Sequence, residues 1–208
     1  VDRMALICED GSMFGEEYTL VACADYVLSR TKGNTVSNLS SSRALRDITE
    51  KHGGSYKASA VGEVNVVELM KTTNAVIGGE GNGGIIYPAS HYGRDSLVGV
   101  ALFLTHLANL KISCKKLRDS YPNYYMSKNK IELTPEINVD SILEIMARNY
   151  KNEDVSTIDG VKIDFEKEWI HLRKSNTEPI IRIYTESTSQ TSANELANRF
   201  ISEIKSVI

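Results

Sequence analysis

The sequence predicts an α/β domain followed by a small α+β domain, and three observations carry that prediction. Short apolar strands alternate with helical stretches from residue 15 to about 120, the pattern of an α/β layer. The chain then changes character at "SYPNYYMSKNKIELTPEI", which is aromatic, extended and interrupted by Pro122 and Pro135. Beyond it come a helix, an Asp-Gly hairpin, two more strands and a final capped helix.

In order, Met4 to Cys8 is a short apolar run leading to an Asp10-Gly11 turn. Leu20/Val21, Ala24 and Val27/Leu28 recur at helical spacing and predict a helix over 16–30. "NTVSNLSSS" reads as a strand running into a polar loop. Residues 42–52 carry Leu45 and Ile48 on one helical face, and Gly53-Gly54 stop that helix. "SYKASAV" is the next strand, and Val66, Val67 and Met70 mark another helix. "AVIGG" (75–79) and "GIIY" (84–87) are short strands around a glycine-rich loop. Asp95 can cap an apolar helix over 96–110, most of which the core is expected to claim. A short helix follows near 112–119.

The aromatic stretch reads as a linker whose C-terminal part is an edge strand. Residues 140–150 then form a helix with Ile142, Ile145 and Met146 inward. "VSTIDGVKIDF" is a hairpin turning at Asp159-Gly160, and "WIHLRKS" and "PIIRIYTES" are strands. Ser192 and Glu195 have the spacing of a capping box for a last helix bearing Leu196, Phe200, Ile201 and Ile204. Trp169 is expected in the core of this second unit. His52, His106 and His171 have no partner at ligand or triad spacing and read as surface or filler positions.

Bulk properties exclude several function classes. A chain of 208 residues, 41% hydrophobic and 25% charged, can bury a core. Its net charge of −3 gives no long-range field for nucleic acid or a membrane surface. No apolar run approaches the roughly 20 residues that span a bilayer. Cys8, Cys23 and Cys114 lack metal-ligand spacing, so reduced thiols and a cytoplasmic location are expected. The opening "VDRMALICEDG" has no initiator Met and reads as starting mid-strand, so a longer parent chain is expected.

Two loops concentrate chemistry. "RKSNTEPIIR" (173–182) lies between two strands and crowds two guanidiniums, two hydroxyls, an amide and backbone N–H groups into one turn. Such an inventory suits a dianionic phosphate, which needs several charge-assisted bonds at once; the alternative is a polar hairpin turn. "GGEGNGG" (78–84) offers close backbone approach and one carboxylate, Glu80, able to accept from sugar hydroxyls. A dinucleotide fingerprint would open a helix, whereas this loop leads into the strand "GIIY", so a nucleotide-binding oxidoreductase is disfavoured.

Together with Asp2-Arg3, these loops resemble one family in the right order, the α-D-phosphohexomutases. That group contains phosphoglucosamine mutase and phosphomannomutase/phosphoglucomutase. "VDR" (1–3) matches the end of the family's D-x-D-x-D-R metal loop, and "GEGNGG" (79–84) partly matches its G-E-x-S-G-H sugar loop. Arg173, Ser175, Asn176, Thr177, Glu178 and Pro179 match its R-x-S-N/G-T-E-P phosphate loop. The resemblance implies that residues 1–14 are the tail of metal-binding domain 2. It makes 15–120 a sugar-binding domain 3 with a mixed sheet. It makes 121–208 a phosphate-binding domain 4, an antiparallel sheet with helices on one face.

It further implies a cytoplasmic isomerase interconverting hexose 6-phosphate and 1-phosphate through a phosphoserine and a bisphosphate. Asp2 would be one ligand of a magnesium ion, and Arg3 would help hold the transferred phosphoryl group. Glu80 and Asn82 would read the sugar, while Arg173, Ser175, Asn176, Thr177 and Arg182 would hold its phosphate. His91 and Arg94, just beyond the sugar loop, are further candidates to line the site. No T-A-S-H-N-P-type nucleophile loop occurs in these residues, so this chain by itself is expected to be inactive. Asn82 stands where most relatives have Ser and Gly84 where they have His. Ser40-Ser41-Ser42 fall where some phosphomannomutases bring in a lysine. These departures resemble the amino-sugar mutases and favour glucosamine phosphate. The alternatives are a phosphomannomutase/phosphoglucomutase and a non-catalytic phosphosugar-binding module.

Overall fold

A computed structural model of the chain describes residues 2–134, 137–175 and 178–207. They form two compact units, Val1–Pro122 and Asn123–Ile208. No helix among the described residues is long and apolar enough to cross a membrane.

In the first unit, the segment before the first helix is closed by one antiparallel bridge between Ile7 and Met13. The elements that follow are α1 (Glu16–Arg30), β1 (Asn34–Asn38), α2 (Ala44–Lys51), β2 (Tyr56–Ser59) and α3 (Glu63–Thr73). Then come β3 (Ala75–Glu80), β4 (Gly84–Ile86), α4 (Ser96–Leu110) and α5 (Cys114–Asp119). The sheet has the order β2-β1-β3-β4, with β1 parallel to β2 and β3, and β4 antiparallel to β3.

Neighbouring side chains of β1 serve opposite faces, as strand geometry requires. Thr35 bonds the Thr49 hydroxyl of α2 at 2.6 Å, while Val36 packs with Val66 and Met70 of α3. The two helices therefore cover opposite faces of the sheet. α1 is buried from Tyr18 through Ala24 and at Val27 and Leu28, which accounts for its nearly continuous apolar run.

α4 departs from expectation. Asp95 caps it, accepting from the amides of Leu97 and Val98 at 2.9 and 3.0 Å. Yet its buried residues are Gly99, Leu102, Phe103 and His106, and Leu97 is 80% exposed. A helix packed against one neighbouring layer buries a single stripe, whatever the composition of its outer face. The unassigned histidines also acquire partners. Asp25 receives His52 Nε2 at 2.7 Å, His106 Nε2 at 3.3 Å and the Tyr121 hydroxyl at 3.0 Å. Burial opposes the Asp25 charge, but the bonds from His106, His52 and Tyr121 outweigh it and hold the carboxyl down to about 2.

The second unit contains β5 (Tyr125–Glu132), α6 (Val139–Asn149), β6 (Asp154–Ser156), β7 (Val161–Asp164), β8 (Trp169–Lys174), β9 (Ile180–Ser187) and α7 (Gln190–Val207). Its sheet is antiparallel throughout, in the order β5-β9-β8-β7-β6. The edge strand β5 starts at Tyr125, so the ladder, paired from Tyr125–Ser187 to Glu132–Ile180, takes up the middle of the stretch and not its C-terminal part alone.

Ile142 and Met146 of α6 and Leu196 and Phe200 of α7 share one cluster with Ile170, Leu172, Ile181 and Ile183 of the sheet. Both helices thus lie on one face. Ser189 caps α7, accepting from the Ser192 amide at 3.0 Å, and Ser192 lies inside the helix. Two serines three residues apart give the same local signal, and the end of β9 at Ser187 decides between them.

Trp169 is fully buried, but not in that apolar cluster. Alternation along β8 sends it to the other face. There its Nε1 donates to Glu186 Oε1 at 2.8 Å and the Lys162 ammonium lies 4.7 Å from its ring centre. His171, two residues along, shares that face and donates Nε2–H to the Asp159 carbonyl at 2.6 Å. Burial pushes its imidazole down to about 4; the bond to Asp159 opposes this and the charges of Lys162 and Arg173 add to it.

Between pH 6.5 and about 4 the unfolded chain therefore binds a proton that the folded one refuses. Stability falls as pH drops through that window, by up to about 3 kcal/mol, and His171 contributes no pH dependence above it. Urea midpoints followed by fluorescence of Trp169, the one tryptophan, should fall from pH 6.5 to 5, before most carboxylates titrate. A flat midpoint in wild type, matching His171→Gln, would exclude this cause.

Candidate functional site

β1 and β3 are adjacent parallel strands, and both end in polar residues. In open α/β sheets the crevice beyond the carboxyl ends of such strands is where ligands bind. Asn38 closes β1 and Glu80 closes β3, and Asn38 Nδ2 donates to Glu80 Oε1 at 3.0 Å. The serine loop folds back on this pair: the Ser40 amide and the Ser41 hydroxyl both bond Asn38 Oδ1, at 2.9 and 3.2 Å. The Gly81 amide donates to Ser41 Oγ at 3.0 Å, tying the loop after β1 to the loop after β3.

Arg94 is the hub of this end of the sheet. Its guanidinium meets Glu80 at 2.9 Å, Asp2 at 2.7 Å and Glu63 at 3.1 Å. Its backbone N–H also donates to Glu63 Oε1 at 2.8 Å. Glu80 is 5% exposed and both of its oxygens are engaged, yet a carboxylate has about four acceptor sites. It retains capacity for hydroxyl donors. Asn82 Oδ1 accepts from the Gly84 amide at 3.2 Å, and its NH2 has no partner among the described residues.

The glycines in this loop admit the protein's own groups, where the sequence alone suggested room for a ligand. Gly83 has φ +83°, and a Cβ there would sit 2.2 Å from the Met4 carbonyl oxygen. Met4 in turn donates its N–H to the Gly83 carbonyl at 2.9 Å, anchoring the segment that bears Asp2.

Asp2 and Glu80 are thus brought together, and Arg94 joins them. Arg3 is exposed, and its charge acts on the neighbouring Asp2 carboxyl. His91 is exposed and paired with Asp95 at 3.0 Å. Glu63 and Asn38 carried no signal in the sequence; their position at strand and helix ends is a property of the assembled sheet. Among the described residues no group of three or more His, Cys, Asp or Glu is arranged to hold a metal. Magnesium takes near-octahedral oxygen ligands, and one carboxylate bound to a guanidinium does not supply them. These residues do not make a magnesium site by themselves.

The second unit carries its own cluster. Arg173 and Arg182 are directly opposed on β8 and β9, and Lys130 of β5 opposes Arg182. Directly opposed residues share a face, here the one away from the helices. Like charges so placed repel, at a cost of a few tenths of a kcal/mol or more for each pair. Asp159 engages Arg173 Nε at 2.9 Å, leaving the two terminal nitrogens without a partner among the described residues. Arg182 has Glu178 at 3.9 Å and Lys130 has Glu132 at 3.0 Å. Gly160 makes the Asp159 turn possible: its φ is +72°, and a Cβ would sit 2.2 Å from the Leu172 carbonyl. Ser175 is buried and closes the turn, its amide donating to the Ile180 carbonyl at 3.1 Å. Asn176 and Thr177 lie outside the described residues.

Comparison with known proteins agrees with both units. Residues 15–125 match the family described as phosphoglucomutase/phosphomannomutase, alpha/beta/alpha domain III, and residues 129–203 match its C-terminal domain. A phosphoglucosamine/phosphogalactosamine mutase of Sulfurisphaera tokodaii is 37% identical over 83% of this chain and 38% of its own length. A phosphoglucomutase/phosphomannomutase of Thermococcus kodakarensis is 34% identical over 93% of this chain and 43% of its own. In fold, the chain is similar to a phosphoglucomutase/phosphomannomutase family protein from Burkholderia thailandensis, with a TM-score of 0.83 at 24% identity, covering 99% of this chain and 44% of that one. The chain spans less than half the length of each of these relatives. It belongs to the phosphoglucomutase/phosphomannomutase family, of which it carries the third α/β/α domain and the C-terminal domain.

Proposed function

We propose that this chain is the sugar- and phosphate-binding part of a phosphohexomutase whose substrate is a hexosamine phosphate. The observation that carries the reading is the row Lys130–Arg182–Arg173, three cations in register on one sheet face beside a turn rich in donors. Each cation of the row already has one carboxylate partner, and a dianion lying against the row adds counter-charge to all three. Arg173 has two terminal nitrogens to offer, and Asp159 holds the guanidinium by its Nε. In the first unit, Glu80 accepts from sugar hydroxyls with its remaining lone pairs, and Asn82 offers its amide donors beside it. Arg94 keeps Glu80 oriented by a fixed ion pair. Phosphoryl transfer itself requires a nucleophile that these residues do not include, so the role of this chain is to bind and orient.

The name of the Sulfurisphaera relative and the Asn at position 82 both support an amino sugar. The test is an amide NMR titration of the chain with glucosamine 6-phosphate and with inorganic phosphate. Both should shift residues 173–182, and only the sugar phosphate should shift 79–84. Glu80→Gln should weaken the sugar phosphate by about 10-fold or more, the scale of one charge-assisted bond, and leave inorganic phosphate unchanged. Asn82→Ser should alter the ratio of affinities for glucosamine and glucose phosphates. Equal losses for both ligands, or shifts confined to other surfaces, would defeat the reading.

A further inference from the structure

Two of the three cysteines are neighbours, although 106 residues separate them. Cys8 Sγ donates to Cys114 Sγ at 3.7 Å. Cys8 sits in the turn before α1, its carbonyl accepting from the Gly11 amide at 2.9 Å and its own amide donating to Ser12 at 2.8 Å. Cys114 is the first residue of α5, just after its cap Ser113. The two backbones are already fastened at this point, because the Lys115 amide donates to Glu9 Oε2 at 3.1 Å. Cys8 is buried and Cys114 is half-buried, so one thiol can be reached and the other lies behind it.

We propose that Cys8 and Cys114 are a reversible disulfide site, oxidised by exchange with a low-molecular-weight disulfide. Bringing the sulfurs from contact to bonding distance, about 2.05 Å, asks for side-chain rotation between segments that are already held together. The Cys114 thiolate attacks the small disulfide, whose S–S bond breaks; one small thiol leaves, taking up the proton that Cys114 gave. Cys8, deprotonated in turn, attacks the Cys114 sulfur, and the second small thiol leaves with that proton. Two protein thiols lose two electrons, and the small disulfide is reduced to two thiols.

Burial pushes the Cys114 thiol up to about 12, and the Cys8 contact and the charges of Glu9 and Asp10 act in the same sense. The exchange is therefore slow at neutral pH and faster as pH rises. The product would fasten the segment that carries Asp2 and Met4 to α5. Met4 already bonds the Gly83 carbonyl, so the staple acts on the strand of chain that braces the glycine loop. Cys23 is excluded as a competitor: it is wholly buried, and its Sγ lies 3.5 Å from the Gly99 carbonyl.

The test is incubation of the chain with oxidised glutathione at pH 8, alkylation, digestion and mass spectrometry. Wild type should lose two hydrogens and give one linked peptide pair containing Cys8 and Cys114, with Cys23 free. Its melting temperature should rise by several degrees, as expected for closing a long loop in the unfolded chain, and dithiothreitol should reverse the rise. In Cys8→Ala, Cys114 should instead retain one glutathione. A wild-type chain that keeps glutathione on Cys114 with Cys8 still open to alkylation would overturn the proposal. So would linkage of Cys114 between two chains.

Discussion

Replacing Arg94 with Met should destabilise the first unit by about 3 to 5 kcal/mol, the cost of breaking one side of a buried ion pair. The side chain is 18% exposed and faces three carboxylates, of which Glu80 is only 6% exposed. Without the guanidinium, Glu80 keeps the Asn38 donor alone, and three acidic groups are left without their shared counter-charge. Methionine has similar length, so the loss reads charge and hydrogen bonding more than volume. Asp2 and Glu63 are partly solvated and contribute less to the loss than Glu80 does.

The measurement is the thermal or urea transition of the variant by circular dichroism. Combining Arg94→Met with Glu80→Gln should recover a substantial part of the lost stability, because the amide needs no counter-charge; the double-mutant cycle isolates that pair. A midpoint unchanged in Arg94→Met would mean that water already solvates Glu80. No recovery in the double variant would move the cause to Asp2 or Glu63.

Arg173→Ala should reduce phosphate affinity by about 10- to 100-fold for each charge-assisted bond lost, which takes a weak site below detection. Arg173→Lys should recover part of the loss, since an ammonium keeps the charge without the planar fork. Arg182→Ala should cost less, because its side chain is more exposed than that of Arg173, 40% against 26%, and a solvated guanidinium gains less from each bond. Its removal also relieves repulsion on Arg173, so the unliganded unit should become slightly more stable. Phosphate should raise the transition of wild type, read by Trp169 fluorescence, and should do so less as salt is added. An unchanged phosphate response in Arg173→Ala would make "RKSNTEPIIR" a polar turn and nothing more.

The sequence alone determined the elements and their class, because the signals involved are local. The alternation of "NTVSN", "SYKAS" and "AVIGG" with apolar helical spacing, the Asp95 cap and the Asp159-Gly160 turn all depend on residues within a few positions of one another. The candidate phosphate loop could be named from the sequence for the same reason: its donors are contiguous. What depended on residues distant in sequence was not legible. Leu97 and Leu104 look like core and face solvent, since burial depends on which neighbours are present. Trp169 left the apolar cluster because strand register, not hydrophobicity, chose its face. His52 and His106 found Asp25, and Cys8 found Cys114, through contacts that no spacing encodes. Arg94 became the hub of the glycine loop only when parallel pairing of β1 with β3 set Asn38 beside Glu80 and the opening segment delivered Asp2 to the same guanidinium. An ion pair requires convergence in space within about 4 Å, and convergence of segments some 90 residues apart is decided by the packing of the whole unit.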